Sequence, residues 1–262
     1  ARSAVYFGTF NFDIADAAAA AKLSAYQSVA LEPPGTLATD CDWRGLSVND
    51  GLFAGQTINL GGHALKLTAQ EGVSQRAFTV TDDAPAGGNF VLNVPQGAVF
   101  ENTLITIGGT AAFVKDGAGV FVSHRYGQPY TGGNTVVAGT LRLYNDAVAD
   151  SNTFSLGKDG YGQPLGADGI AVRVETGAFY DINGIYDNNY YPVVLAGGAL
   201  TSSKMQTKYS WGGLGNVTLE ADSAFDMRNS IVLFNWDGKH GFNLNGHTLN
   251  IAFPEDAANE HD

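Results

Sequence analysis

The sequence predicts an all-β protein: a right-handed parallel β-helix, or solenoid, with a short N-terminal cap that contains a helix. Three observations predict it: short runs with alternating apolar residues, glycine-rich corners between the runs, and a unit that recurs along the chain. Hydrophobic residues make up 44% of the 262 residues and charged residues only 15%. A chain of this length and composition can bury one continuous core, so no second globular domain is required.

The predicted strands are short and begin near residue 42. Within each run apolar and polar side chains alternate, which turns one face to a core and the other to solvent. Such runs include residues 57–60, 77–80, 90–94, 104–107, 140–143, 171–174 and 217–219. This pattern predicts strands throughout the main body of the chain.

A repeated unit favours a solenoid over other β architectures. Residues 58–67 (Ile-Asn-Leu-Gly-Gly-His-Ala-Leu-Lys-Leu) share five of ten positions with residues 242–251 (Phe-Asn-Leu-Asn-Gly-His-Thr-Leu-Asn-Ile). Looser copies occur at 105–114, 180–185 and 193–200. Each copy contains two short strands around a Gly or Asn-Gly corner, where positive φ is tolerated. The same corner also suits an antiparallel hairpin, so a β-sandwich is the structural alternative.

The two ends of the chain differ from the middle. We predict that residues 1–40 form an N-terminal cap or arm and that residues 41–262 form the β-helix domain. Residues 13–23 are alanine-rich and predict a helix, which Pro33-Pro34-Gly35 would end. No cap is evident at the C-terminal end, where residues 254–262 are acidic and polar. An open solenoid end favours truncation of a longer chain, self-association, a following domain, or shielding by that tail.

Residues 115–143 carry a spaced motif: Lys-x-Gly-x-Gly, then Tyr-Thr-Gly-Gly, then Gly-Thr-Leu. The stretch resembles the autotransporter-associated β-strand repeat of large surface proteins with β-helical passengers. The resemblance implies a β-helical fold and a secreted or cell-surface location in bacteria, and it implies little about activity. Asn134 stands where that family usually has Thr. The matching residues are Lys115, Gly117, Gly119, Tyr130, Thr131, Gly132, Gly133, Gly139, Thr140 and Leu141.

The charge balance limits the partners. The formal net charge is −12, which disfavours binding to nucleic-acid phosphates and to anionic membrane surfaces. No apolar run is long enough for a membrane-spanning helix. Cys41 is the only cysteine, so no intrachain disulfide can form, and we expect a small buried apolar side chain there.

No cofactor or metal is predicted, because no histidine pair has the spacing of zinc ligands. His63 and His247 occupy matching positions after a corner glycine. Equivalent positions in two repeats indicate a shared structural role, which we expect to be a hydrogen bond to a turn carbonyl.

Paired carboxylates would indicate glycoside hydrolysis or polysaccharide cleavage. The candidate pairs are Asp82 with Asp83, Asp181 with Asp187, and Asp222 with Asp226. None lies in a pattern typical of β-helical pectinases, and we expect these residues to be solvated turn residues. No catalytic residue is therefore predicted.

Tyrosine-rich segments supply the candidate ligand-binding residues. Tyr-Gly-Gln-Pro occurs at 126–129 and at 161–164, and a third aromatic segment spans 186–192. Tyrosine rings stack on sugar faces and amides bond hydroxyls, so these segments suit glycans or other surface proteins; the alternative is that they pack on the solenoid side. The candidates are Tyr126, Tyr161, Tyr186, Asn188, Asn189, Tyr190 and Tyr191.

The sequence therefore predicts a noncatalytic secreted or cell-surface β-helix protein that acts as a structural spacer or adhesin-like segment. One alternative is a carbohydrate-active β-helix enzyme, either a polysaccharide lyase or a glycoside hydrolase, which would need a cleft lined by carboxylates. Another is a self-assembling subunit of an extracellular filament, which would associate through the solenoid ends.

Overall fold

The structure is a computed structural model. It describes residues 11–12, 30–31, 35–37, 39–48, 53–74, 76–123, 128–144, 166, 169–183, 191–203, 215–226 and 241–252. These residues form β-strands and contain no α-helix, which confirms the all-β class. The helix predicted at 13–23 lies outside the described residues.

The strands are two to seven residues long. In chain order they are β1 (Asn11–Phe12), β2 (Ala30–Leu31), β3 (Gly35–Thr36), β4 (Cys41–Ser47), β5 (Thr57–Asn59), β6 (Ala64–Thr68), β7 (Gly72–Val73), β8 (Phe78–Thr81), β9 (Asn89–Asn93), β10 (Val99–Asn102), β11 (Ile105–Ile107), β12 (Ala112–Asp116), β13 (Val120–Ser123), β14 (Asn134–Val136), β15 (Thr140–Leu143), β16 (Val172–Glu175), β17 (Phe179–Asp181), β18 (Val193–Ala196), β19 (Ala199–Thr201), β20 (Val217–Ala221), β21 (Ser223–Asp226), β22 (Phe242–Asn243) and β23 (Leu249–Ala252).

Three parallel sheets form the sides of a solenoid. Sheet 1 contains β3, β5, β8 and β11; sheet 2 contains β4, β6, β9, β12, β14, β16, β18, β20 and β22; sheet 3 contains β7, β10, β13, β15, β17, β19, β21 and β23. The chain visits these sheets in turn, so each strand pairs with strands one coil earlier and one coil later. Phe113, for example, pairs with Phe90 and with Asn134. The predicted parallel β-solenoid is confirmed, and the hairpin sandwich is wrong.

The solenoid includes residues that precede position 41. Gly35 and Thr36 of β3 pair in parallel with Ile58 and Asn59 of β5, as the first strand of sheet 1. Further upstream, β1 and β2 form a separate parallel pair.

Inward-facing side chains stack in rows along the solenoid axis and form one core. In sheet 3 the row contains three phenylalanines, one tyrosine and two leucines, each at most 2% exposed. The ring centroids of its neighbours Phe100 and Phe121 lie 6.2 Å apart, and Phe121 also lies 4.9 Å from Phe113 of sheet 2. Burial of each such side chain contributes about 1.5–3 kcal/mol. The sheet 3 row is Phe100, Phe121, Leu141, Tyr180, Leu200 and Phe225.

The corners between sheets use one local design in several coils. An Asn or Asp at the end of a strand accepts a hydrogen bond from the backbone N–H two residues later, and that later residue has positive φ. Asx side chains favour this turn, and Gly or Asn tolerates the left-handed conformation at low cost. The pairs are Asn59 with Gly61, Asp181 with Asn183, and Asn243 with Asn245.

The two closest sequence repeats occupy different corners. Residues 58–67 turn from sheet 1 into sheet 2, whereas residues 242–251 turn from sheet 2 into sheet 3. The unit therefore encodes a corner between parallel sheets, whichever two sheets those are.

Because the corners stack, we expect Gly139 and Gly177 to respond differently to substitution, although their φ values are similar. Gly139 has a φ of 64°, and a Cβ there would lie 2.4 Å from the carbonyl oxygen of Gly119. Gly177 has a φ of 78° in an equivalent corner, and a Cβ there would meet nothing within 4 Å. We expect Gly177→Ala to lower the free energy of unfolding by about 1 kcal/mol, from backbone strain alone. Gly139→Ala should lower it by about 2 kcal/mol more, because the corners must move apart. Equal losses in urea denaturation would contradict this account.

Candidate functional site

The most unusual side chain in the described core is Lys115, which lies in β12 and faces inward. Its neighbours in the row are Leu92 on the preceding coil and Val136 on the following one. The side chain is fully buried, and its ammonium nitrogen donates hydrogen bonds to the carbonyl oxygens of Asp116 at 3.0 Å, Gly117 at 2.6 Å and Ala138 at 2.7 Å. An ammonium has three N–H donors, so these contacts satisfy it completely.

Burial lowers the pKa of Lys115 from 10.5 to about 8, and the nearby Asp116 carboxylate acts in the opposite direction. Removal of an ammonium from water is costly, and the three carbonyl dipoles offset part of that cost. Because Ala138 belongs to the next coil, the lysine ties two successive corners together.

The glycines of the motif allow these corners to stack. A Cβ at Gly117 would lie 2.3 Å from the carbonyl oxygen of Val94, and one at Gly119 would lie 2.2 Å from that of Pro95. Both distances are too short for a side chain, so only glycine lets the coils approach this closely. Lys115, Gly117 and Gly119 therefore belong to one corner between sheets 2 and 3, and this corner stacks closely on those of the neighbouring coils.

The second half of the motif forms a buried polar contact one coil later. Tyr130 is 1% exposed, and its hydroxyl donates a hydrogen bond to the side-chain oxygen of buried Asn134. Burial raises the pKa of the Tyr130 hydroxyl well above its usual value. Thr131 binds the carbonyl of Gly109 on the preceding coil through its backbone N–H at 2.9 Å. Tyr130 and Asn134 are therefore built into the core, whereas the exposed Thr131 joins two coils through its backbone.

Two of the candidate acidic residues are buried, so the expectation of solvated turn residues is wrong for them. Asp82 is 2% exposed, and its carboxylate accepts backbone N–H groups of Gly62, Ala84 and Gly88. Asp181 is 1% exposed. Corner N–H groups point inward between the stacked coils, and a buried carboxylate is the acceptor that satisfies several of them at once.

Asp181 also pairs with a charged side chain. Its carboxylate accepts hydrogen bonds from the backbone N–H of Asn183 at 2.8 Å and of Ser203 at 2.9 Å, and from Arg142 Nε at 2.7 Å. Its suggested partner Asp187 lies outside the described residues. Asp222 accepts the backbone N–H of Thr248 at 2.8 Å. Asp82, Asp181 and Asp222 therefore each accept hydrogen bonds from backbone N–H groups of the solenoid.

The two matched histidines occupy matching positions in their corners, and the backbone N–H of each donates to a turn carbonyl, that of Leu60 or Leu244. The imidazole of each lies next to a carboxylate. His63 Nδ1 lies 3.5 Å from Asp40 Oδ1, and His247 Nδ1 lies 3.8 Å from Asp222 Oδ1. In both corners the aspartate belongs to the preceding coil and also accepts the backbone N–H that follows the histidine. Cys41 is buried, as predicted, and burial raises the pKa of its thiol.

Variation in coil length is concentrated on one side of the solenoid. Connections from sheet 2 to sheet 3 are between one and five residues long, such as Asp222 alone between β20 and β21. Connections that return from sheet 3 to sheet 2 after β13 are far longer, the longest being residues 144–171. The described part of the first of these connections continues sheet 1, because Gln128 bonds the backbone of β11 through both ends of its amide. The returning connections are residues 124–133, 144–171, 182–192, 202–216 and 227–241.

All seven candidate ligand-binding residues fall in these returning connections. Six of them lie outside the described residues, namely Tyr126, Tyr161, Tyr186, Asn188, Asn189 and Tyr190. Tyr191 is described, and it is 6% exposed within the hydrophobic core. Its ring packs inside the solenoid, which is the alternative that the sequence left open for these segments.

Sequence reasoning identified Lys115 as part of a motif but missed its buried position. The signal was present: β12 reads Ala-Phe-Val-Lys-Asp, and strict alternation places Lys115 on the same face as Phe113. A lysine on the apolar face of a strand indicates a carbonyl cage nearby, because an ammonium is rarely buried without partners.

No protein-family model matches the chain, and neither a curated protein nor a solved structure matches it significantly. Among the residues that the structure describes, no helix is long and apolar enough to span a bilayer. Within the same residues, no group of three or more His, Cys, Asp or Glu side chains is arranged to hold a metal ion.

Two substitutions of Lys115 distinguish what its packing contributes to stability from what its hydrogen bonds contribute. Lys115→Met keeps most of the volume but removes the donors, and we expect a loss of about 1–3 kcal/mol in the free energy of unfolding. Lys115→Ala also leaves a cavity and should cost about 3–5 kcal/mol. Urea denaturation at neutral pH measures both values, with Lys66→Met on the outer face of β6 as a control that changes little. A Met variant as unstable as the Ala variant would show that the donors dominate.

The lowered pKa of Lys115 gives a defined pH dependence. The unfolded chain holds the proton up to about pH 10.5, whereas the folded chain releases it near pH 8. Between these values the unfolded state binds more protons, so stability relative to Lys115→Met rises with pH, by at most about 1.4 kcal/mol per pH unit. Below pH 8 the difference between the two proteins should be constant. A flat difference up to pH 10 would mean that the carbonyl cage holds the pKa near its ordinary value.

Proposed function

We propose that this protein is a noncatalytic, secreted or cell-surface β-helix that serves as a structural spacer or adhesin-like segment. The proposal is supported by the contrast in connection length: one to five residues from sheet 2 to sheet 3, and 10 to 28 residues from sheet 3 to sheet 2 after β13. Short, stacked corners make the solenoid rigid, and the strands keep their parallel pairing across the long connections, as expected where connections vary for function.

The use of buried polar groups supports a scaffold role. Lys115, Asp82 and Asp181 each bind backbone groups from neighbouring coils, which fixes the register between coils. Polar groups that are fully occupied in this way rigidify a fold and are not poised for proton transfer. The resemblance of residues 115–143 to the autotransporter-associated repeat supports the surface location.

Adhesion is the more specific part of the proposal. Tyr126, Tyr161 and Tyr190 belong to three different connections in the sequence, each between a strand of sheet 3 and the next strand of sheet 2. Tyrosines that recur along the chain in this way suit an extended ligand such as a glycan chain. The net charge of −12 favours neutral or cationic ligands over anionic ones.

A glycan array with the full chain tests this proposal. We expect binding to at least one glycan class, weakened about 10-fold or more in the triple variant Tyr126→Ser, Tyr161→Ser, Tyr190→Ser, because each aromatic contact contributes about 0.5–1.5 kcal/mol. Phe179→Ser is the matched control. Phe179 is 39% exposed and begins β17, next to the short corners, so its loss should leave binding within about 2-fold.

Two results would overturn the proposal. Binding that persists unchanged in the triple variant would remove the tyrosines from the adhesive surface. Release of reducing ends or unsaturated products from a polysaccharide would replace the noncatalytic proposal with the carbohydrate-active enzyme.

A further inference from the structure

The outer face of sheet 1 is built almost entirely of threonine. Ile58, Val80 and Ile107 face the core, so the alternate positions of β3, β5, β8 and β11 face outward. In these four strands the outward positions hold five threonines and one asparagine, and none of them is charged. We call this surface the threonine face; it consists of Thr36, Thr57, Asn59, Thr79, Thr81 and Thr106.

The outer faces of the other two sheets carry charged side chains. Lys66 faces outward from sheet 2, and Glu101 and Arg142 face outward from sheet 3. In sheet 1, Arg76 precedes β8 and Asp83 follows it, so these charges flank the threonine face without entering it. On a chain with a net charge of −12, an uncharged face of this kind suits an uncharged ligand.

The register of the strands arranges the threonine face as a two-dimensional lattice. Neighbouring strands lie about 4.8 Å apart, and alternate residues along one strand lie about 6.6 Å apart. Side chains that pair across coils therefore repeat at the first interval, and the two rows are separated by the second. One row contains Thr57, Thr79 and Thr106, and the other contains Thr36, Asn59 and Thr81.

Each threonine holds a hydroxyl and a methyl group in a restricted position. A β-branched side chain is stiff at χ1, so little conformational entropy is lost when the face meets a ligand. Thr57 is exposed, and Thr79 and Thr81 are half-buried. The hydroxyls of these three residues have no hydrogen-bond partner among the residues that the structure describes, so they are available to water.

The chemistry of the lattice narrows the choice of ligand. Glycans stack on aromatic rings, and the threonine face has none. A peptide that adds a strand needs a sheet edge, whereas this surface is the face of a sheet. Ice is an uncharged lattice of water molecules, and its repeat along one axis is close to the spacing of parallel strands. Its surface molecules can exchange hydrogen bonds with hydroxyls and enclose methyl groups.

We infer that the threonine face is a site that binds the ordered water lattice of an ice surface. Threonine hydroxyls take the place of lattice water molecules, and the methyl groups lie between them. Because the face spans only the strands of four coils, its expected activity is adsorption to ice crystals and inhibition of their recrystallisation. The site lies outside the returning connections, so the inference stands or falls independently of the adhesive function that we propose for them.

Partitioning of the full chain between ice and liquid, as ice grows slowly from a dilute solution, tests this inference. We expect the natural chain to enter the ice. Thr79→Lys places a charge at the centre of the face and should lower the partition ratio at least about 10-fold, because that charge loses hydration at the contact. Thr135→Lys is the matched control, since Thr135 faces outward from β14 in sheet 2; it should partition like the natural chain.

A second pair of variants keeps the test independent of folding. Thr57→Lys changes an exposed position of the same face and should also lower the partition ratio, whereas Thr79→Val keeps the shape and should lower it less than Thr79→Lys does. Circular dichroism of each variant identifies any that fails to fold.

Three outcomes would overturn the inference. The natural chain could be excluded from ice as completely as Thr79→Lys. Thr135→Lys could reduce partitioning as much as Thr79→Lys does, which would make added charge the cause. Exclusion from ice together with retention on crystalline cellulose, lost in Thr79→Lys, would assign the face to a glycan instead.

Discussion

Parallel stacking of coils imposes the constraint on which the rest of this structure depends. Neighbouring strands lie about 4.8 Å apart, so the corners that connect them must stack at the same spacing. At that distance a side chain on one corner collides with the backbone of the next. The structure meets this constraint with glycine where a Cβ would meet a carbonyl, as at Gly117 and Gly139, and with Asx turns at other corners.

The same constraint explains the buried charges. In tight corners the backbone N–H and C=O groups of one coil point toward the neighbouring coil. These groups need hydrogen-bond partners, because water is excluded there. Asp82 and Asp181 accept the N–H groups, and Lys115 donates to the carbonyls. Long side chains from one coil thereby satisfy the backbone of the next, which couples the coils in addition to the ladder hydrogen bonds.

Variation in length is therefore found in the connections from sheet 3 to sheet 2, and not in the tight corners from sheet 2 to sheet 3. The returning connections after β13 differ widely in length, and the flanking strands keep their parallel register across each of them. Length variation of this kind is tolerated because loop closure costs little extra free energy as a loop grows. In the function that we propose, the short corners would give mechanical support and the longer connections would carry the adhesive surface.

The last described coil shows how the exposure of a side chain depends on its neighbours in space. Its corner has the same turn and the same His–Asp contact as the corner at residues 59–64, but no later strand among the described residues pairs with β22 or β23. Ile251 is 46% exposed, whereas its counterpart Leu67 is 0% exposed. The difference in exposure between the two repeats arises from neighbours in space, since their local sequences are nearly equivalent.

The strand pattern, the glycine corners and the solenoid class could be predicted from the sequence, because alternation and turn chemistry are local properties. The sequence also placed Cys41 in the core and matched His63 with His247. The burial of polar residues became visible only in the folded chain. Asp82 and Asp181 lie in segments that are typical of solvated turns, and Tyr191 lies in a segment that is typical of ligand binding, yet all three side chains are buried. Burial of these residues depends on which coil lies above and below, and that pairing joins residues about 20 to 40 positions apart. No local pattern specifies such a distance when the connections vary in length.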